Sequence, residues 1–165
     1  MPFLVDGNNL MFAMRKAGLS ASRGSVCAVL DALARRGQRV RVVFDGPLPP
    51  EEAARKIDQM RIQVQFSQDV KADELILQAV AADTAPRRLR VVSSDRQIRQ
   101  AARRRRCGVM RSEEFVELLR ASLQRPARKR PSEPAEKRGG LGPTRTGEWI
   151  KEFGLENEDF EDGIG

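Results

Sequence analysis

Short β-branched runs alternate with helical stretches along this chain, and three of the runs stop on an aspartate: Phe3-Leu4-Val5-Asp6, Val42-Val43-Phe44-Asp45 and Val91-Val92-Ser93-Ser94-Asp95. Strands are expected near 2–5, 39–44, 61–66, 89–93 and 108–110, and helices over 22–36, 50–60, 71–82, 96–105 and 112–123. That rhythm is the βαβ repeat of a parallel sheet covered on both faces. In such a sheet the strands all point one way, so the three carboxylates emerge at one edge, where open α/β sheets place their ligands.

The spacing supports individual elements. Val26, Val29, Leu30 and Leu33 follow the i, i+3, i+4, i+7 pattern of an amphipathic helix, with Gly37 where a C-terminal cap falls. Pro49-Pro50 followed by Glu51-Glu52 reads as a helix start, with acid set against the positive end of the dipole. Gly142 and Gly147 match half of a phosphate-binding loop, but Glu148-Trp149 stand where Lys and Ser/Thr are required.

Composition restricts the chemistry. The 165 residues include no histidine and no tyrosine, and the two cysteines, Cys27 and Cys107, form no CxxC pair. Imidazole catalysis, histidine-assisted nucleophiles and the usual Cys/His zinc sites are therefore excluded. The cysteines read as small core residues of a reducing compartment. The chain has no apolar run of membrane-spanning length, so it is expected to be cytoplasmic and to have no membrane partner.

Charge is unevenly distributed. The net charge is +7, yet residues 148–165 carry seven acids against Lys151, a balance of −6 that leaves +13 for the rest. Arginine is concentrated in Arg87, Arg88, Arg90, Arg96, Arg99 and Arg103 to Arg106, and again with lysine over 125–138. Such an excess is the electrostatic footprint of a polyanion partner, although solvated helix faces also carry arginine. The stretch 124–147 has almost no large apolar side chain and reads as a flexible basic linker. Residues 148–165 read as an acidic tail with a Trp149, Ile150, Phe153, Leu155 cluster, which either docks on its own domain or binds a protein partner.

The acidic edge holds more than the three strand ends. Asp6-Gly7-Asn8-Asn9, Asp45-Gly46 and Asp95-Arg96 follow strands, and Asp73-Glu74 opens a helix that faces the same edge. Converging carboxylates repel, so they need raised pKa values or a cation. Oxygen ligands alone select a hard ion, Mg²⁺ or Mn²⁺, and such an ion beside a basic surface suits phosphodiester hydrolysis with one or two metals. Each residue also has a structural reading. Asp-Gly and Asn-Asn suit turns, Ser94 or Asp95 suits a helix cap, and Asp73 and Glu74 suit a helix dipole.

In order and spacing, Leu4-Val5-Asp6-Gly7-Asn8-Asn9, Val42-Val43-Phe44-Asp45, Phe66-Ser67 with Lys71-Ala72-Asp73-Glu74, and Val91-Val92-Ser93-Ser94-Asp95 resemble the NYN domains of the PIN-like nuclease superfamily, most closely the YacP-like group. The resemblance covers residues 1 to about 120. It implies a three-layer α/β/α sandwich over 1–123 and metal-dependent ribonuclease chemistry. It makes an endonuclease that cuts ribosome-associated mRNA the nearest functional analogue. Carried over, Asp6, Asp73 and Asp95 form the catalytic metal site, and Asn9, Asp45 and Glu74 support it. Two positions depart from the family pattern: Asn8 replaces the aromatic of a DGYN string, and Gly46-Pro47 replaces the histidine segment after Asp45.

The expected activity is therefore a Mg²⁺- or Mn²⁺-dependent endoribonuclease acting on mRNA, rRNA or tRNA. Ser94 joins Asn9 in orienting water or phosphate oxygens, and Arg96, Arg99, Arg103, Arg104, Arg105 and Arg106 hold the RNA backbone. The rivals are a non-catalytic RNA- or ribosome-binding adaptor on the same fold, and a toxin-like nuclease controlled by a partner.

Overall fold

Phe3, Leu4 and Val5 are all buried, because successive residues of a strand face opposite sides and both sides of this sheet are covered. In the computed structural model, which describes residues 1–124, five strands form one parallel sheet: β1 (Pro2–Asp6), β2 (Arg39–Phe44), β3 (Gln63–Phe66), β4 (Arg90–Val92) and β5 (Gly108–Met110). Their order is β3-β2-β1-β4-β5. The chain winds outward from β1 in one direction, then returns to start β4 on its other side. That reversal places the ligand crevice of a doubly wound sheet at the carboxyl ends of β1 and β4.

Six helices accompany the sheet: α1 (Gly7–Lys16), α2 (Arg23–Arg35), α3 (Glu51–Asp58), α4 (Ala72–Ala82), α5 (Arg96–Arg104) and α6 (Ser112–Gln124), with a 3₁₀ turn at Pro86–Arg88. On one face Phe3, Val5, Val40, Val42, Phe44 and Val92 pack with residues of α1, α2 and α6, among them Leu10, Leu30 and Phe115. On the other, Leu4, Val43 and Val91 pack with Ile76 and Val80 of α4 and Ile98 and Ala102 of α5. Each such fully buried aliphatic side chain contributes about 1.5–3 kcal/mol. This is the expected three-layer α/β/α sandwich.

Helix ends follow local chemistry. Ser22 caps α2 by accepting from the Ser25 N–H, the Ser25 hydroxyl accepts from the Ser22 N–H in return, and Gly37 just past the helix takes a left-handed φ of 91°. The structure adds a helix that the sequence reading left out. Gly7-Asn8-Asn9 are poor helix formers and read as a turn, yet α1 begins there. Asp6 supplies its cap, and Leu10, Ala13 and Met14 bury its inner face. Gly7 is required by a close approach: a Cβ there would lie 2.4 Å from the Phe44 ring and 2.9 Å from the Val43 carbonyl.

Coverage of the second face is incomplete. Arg41 and Gln63 share a register row with buried Leu4, yet both are exposed, as are Arg39 and Gln65. Helices α4 and α5 thus cover Val43 on that face but leave Arg39, Arg41, Gln63 and Gln65 open to solvent. The expected linker beyond 124 and the acidic tail over 148–165 lie outside the described residues. Among the described residues no helix is long and apolar enough to cross a membrane.

Candidate active site

Asp6 ends β1 and caps α1 at once. Its Oδ1 accepts from the Asn9 backbone N–H at 3.0 Å, and its Oδ2 accepts from the Ser93 hydroxyl at 2.9 Å and from the Asn9 side-chain amide. Only 2% of the residue is exposed. A buried carboxylate is stable when donors surround it, and here three donors do so.

Asp95 stands beyond the neighbouring strand β4. Its Oδ1 caps α5, accepting from the Gln97 and Ile98 N–H groups at 2.6 and 3.0 Å. Ser93 links the two acids: its hydroxyl donates to Asp6 and accepts from the Asp95 backbone N–H at 3.0 Å. Ser93 is fully buried. Ser94, the serine chosen from sequence, instead donates to Glu113 at 2.7 Å and accepts from the Ser112 N–H, tying β4 to α6. That bond holds the Glu113 carboxyl below its ordinary value. The adjacent serines take different directions, and sequence carries no signal for which one meets Asp6.

Asp45 organises the next loop. Its Oδ1 accepts from the Ser67 hydroxyl at 2.9 Å and from the Ala72 N–H at 3.2 Å, joining the end of β2 to the start of α4. Asn8 reaches the same loop, its Oδ1 accepting from the Asp45 N–H at 3.4 Å. Asp73 lies in the first exposed turn of α4. Desolvation, then the fields of Asp6, Asp95 and Asp45, hold its carboxyl above the ordinary value, while Lys71 pulls it down. The four aspartates therefore share one electrostatic environment. Glu74 is exposed beside Asp73.

The arginines divide. Arg96 begins α5 at the acidic edge, and Arg99 sits one turn on, donating to the Asp95 carbonyl at 3.2 Å. Helix α5 then runs back across the sheet, so its last residue, Arg104, is about 12 Å along the axis from Arg96. Arg103 to Arg106, expected to hold the RNA backbone, thus sit toward the opposite edge, at the far end of α5 from the carboxylates. Arg105 also has a structural task, donating to the Val80 and Asp83 carbonyls at the end of α4.

The donor set suits a hard cation: all oxygen, no imidazole, and a carboxyl, Asp73, raised by desolvation and then by the charges of Asp6, Asp95 and Asp45. Among the described residues no three acids stand close enough to ligate one ion directly. The sequence from 3 to 145 matches the family model described as the YacP-like NYN domain. The chain belongs to the YacP-like NYN family. The crystal structure of Rae1 (YacP) from Bacillus subtilis is similar, with TM-score 0.58 and 22% identity over 73% of this chain and 74% of that one. A tryptophan-to-leucine variant of the same Bacillus subtilis protein aligns with TM-score 0.53 and 23% identity, covering 73% of this chain and 75% of that one. Among curated proteins none matches significantly. This NYN domain accordingly has the nuclease-type α/β fold of its family, with Asp6 and Asp95 at the switch point.

Proposed function

We propose that this NYN domain is a metal-dependent endoribonuclease that hydrolyses RNA phosphodiester bonds, with ribosome-associated mRNA the first substrate to test. The observation that supports the reading is that Asp6 and Asp95 stand at the carboxyl ends of β1 and β4, linked through Ser93, with Asp73 near enough to feel both charges. Mg²⁺ or Mn²⁺ held there, directly or through water, would supply an activated water and offset charge growing on the phosphate. Mg²⁺ in general keeps several of its waters, so contacts from these acids through water would suffice.

The protein's own groups position the rest. Ser93 and Asn9 fix the orientation of Asp6, so the carboxylate needs little reorganisation when substrate arrives. Arg96 and Arg99 at the start of α5 are placed to meet phosphate oxygens near Asp95. Asp45 shapes the loop between β2 and α4 and thereby the seat of Asp73.

Incubating the purified protein with RNA and Mn²⁺ tests the proposal. Asp6→Asn should abolish cleavage and leave the fold intact, because asparagine caps a helix about as well as aspartate. Retained cleavage would sink it. One observation favours the adaptor reading: Asp6, Asp45 and Asp95 all have structural bonds that account for them without an ion. Calorimetry with Mn²⁺ separates the two, since only the nuclease has a divalent-ion site that disappears in Asp6→Asn.

A further inference from the structure

The amino-terminal edge of the sheet carries a second surface of opposite sign. Beside the open face stand Arg39 and Arg41 of β2, Arg61 just before β3, Gln63 at its first position, and Arg88 of the 3₁₀ turn. They line a groove of about 850 Å³. Asp83 is the one acid in its wall, and its Oδ1 already accepts from the Ala85 N–H at 2.8 Å. None of the four guanidinium groups pairs with a carboxylate among the described residues, and Arg41 donates to the Gln63 amide at 3.1 Å.

Four like charges against the single acid Asp83 repel one another and raise the local potential, so the arrangement favours an anionic occupant. Guanidinium forks match phosphate in geometry as well as charge. No exposed aromatic lines the groove, which leaves base stacking little part. A row of polar side chains, Arg61, Gln63 and Gln65, leads along β3 from the groove toward the acidic edge.

We infer that this groove anchors the phosphate backbone of single-stranded RNA at a distance from the cleavage edge. The inference rests on RNA being the substrate, and it adds a length requirement. The four steps of β1 from Pro2 to Asp6 put the far end of the groove about 13 Å from Asp6. Long RNAs engage both edges, whereas short ones gain from one alone.

The test is equilibrium binding by the full chain, in EDTA, of oligouridylates of about 30 and about 6 nucleotides across a salt series. Arg39→Glu with Arg41→Glu should weaken the long RNA at least about tenfold and lower the log–log salt slope by about 1.4, two contacts at about 0.7 each. The preference for the long RNA should shrink with it. Arg88→Glu alone, on a different element, should give a smaller loss of the same kind and guards against damage to β2. Unchanged affinity and slope in both variants would overturn the assignment. Polyglutamate that displaces the long RNA as well as RNA of equal charge does would also overturn it, in favour of an acidic protein partner. Because no divalent ion is present, a failure here is distinct from a failure of the nuclease reading, which Asp6→Asn tests in Mn²⁺.

Discussion

The two edges of this sheet differ in how their charges are held as well as in sign. At the carboxyl-terminal edge Asp6, Asp45 and Asp95 are fixed by backbone and hydroxyl donors. At the amino-terminal edge Arg39, Arg61 and Arg88 are exposed, with no hydrogen bond from their side chains among the described residues. Fixed acids suit chemistry, where a group must be in place before the reaction. Loose arginines suit a flexible polyanion, where contacts must adapt. One parallel sheet supports both, because its strand ends feed helices at one edge and receive loops at the other.

The strongest way to break this contrast is Asp6→Asn, expected to lower RNA cleavage at least roughly a hundredfold while long-RNA affinity in EDTA holds. If cleavage and binding fall together, the edges do not have separate tasks. Glycines at the two edges sharpen the same contrast in stability. Gly7→Ala drives a Cβ into the Phe44 ring and the Val43 carbonyl, and chemical denaturation should show a loss of about 1–3 kcal/mol. Gly108→Ala, whose Cβ would meet nothing nearer than 3.6 Å, should stay within about 0.5 kcal/mol of the parent. Equal losses at both positions would show that the packing of α1 against β2 is not special.

Ser93→Ala comes next. It removes a donor from the buried Asp6 carboxylate and should cost about 1 kcal/mol, whereas Ser94→Ala, at a partly exposed bond to Glu113, should cost less. A larger effect at Ser94 would reverse the assignment of the two serines. The smallest effect concerns pH. The folded-state pKa of Asp73 is raised above 3.8, so the folded chain keeps that proton longer than the unfolded one, and stability falls as pH rises from there through the folded value. In EDTA, Asp73→Asn escapes that loss and should melt slightly above the parent at pH 7. The two curves should converge below about pH 4. A gap that persists at low pH would assign the gain to packing instead of charge.

Much of the fold was legible because both periodicities were strong. The run 39–44 became β2 at the expected positions, and Val26, Val29, Leu30 and Leu33 became the buried side of α2. Helix α1 escaped because its first residues, Gly7-Asn8-Asn9, favour a turn locally, and tertiary packing against Phe44 overrides that preference. The carboxylate edge was legible from strand direction alone. Two features of the site were not. The choice between Ser93 and Ser94 depends on where β4 stops alternating, which single-residue detail does not announce. Arg103 to Arg106 were expected to hold the RNA backbone together with Arg96 and Arg99, and the distance between the two groups follows from the course of α5 back across the sheet, which the arginine spacing alone does not show.

Asp6 closes one strand and opens the next helix, and the proposed chemistry would use that same carboxylate. Selection for a folded protein and selection for an active one therefore act on the same atoms. A lineage that lost the activity would still be pressed to keep an aspartate, asparagine or serine here. On the nuclease proposal, chemical identity at position 6 among descendants, carboxylate as against mere cap, would then record which lineages keep the activity.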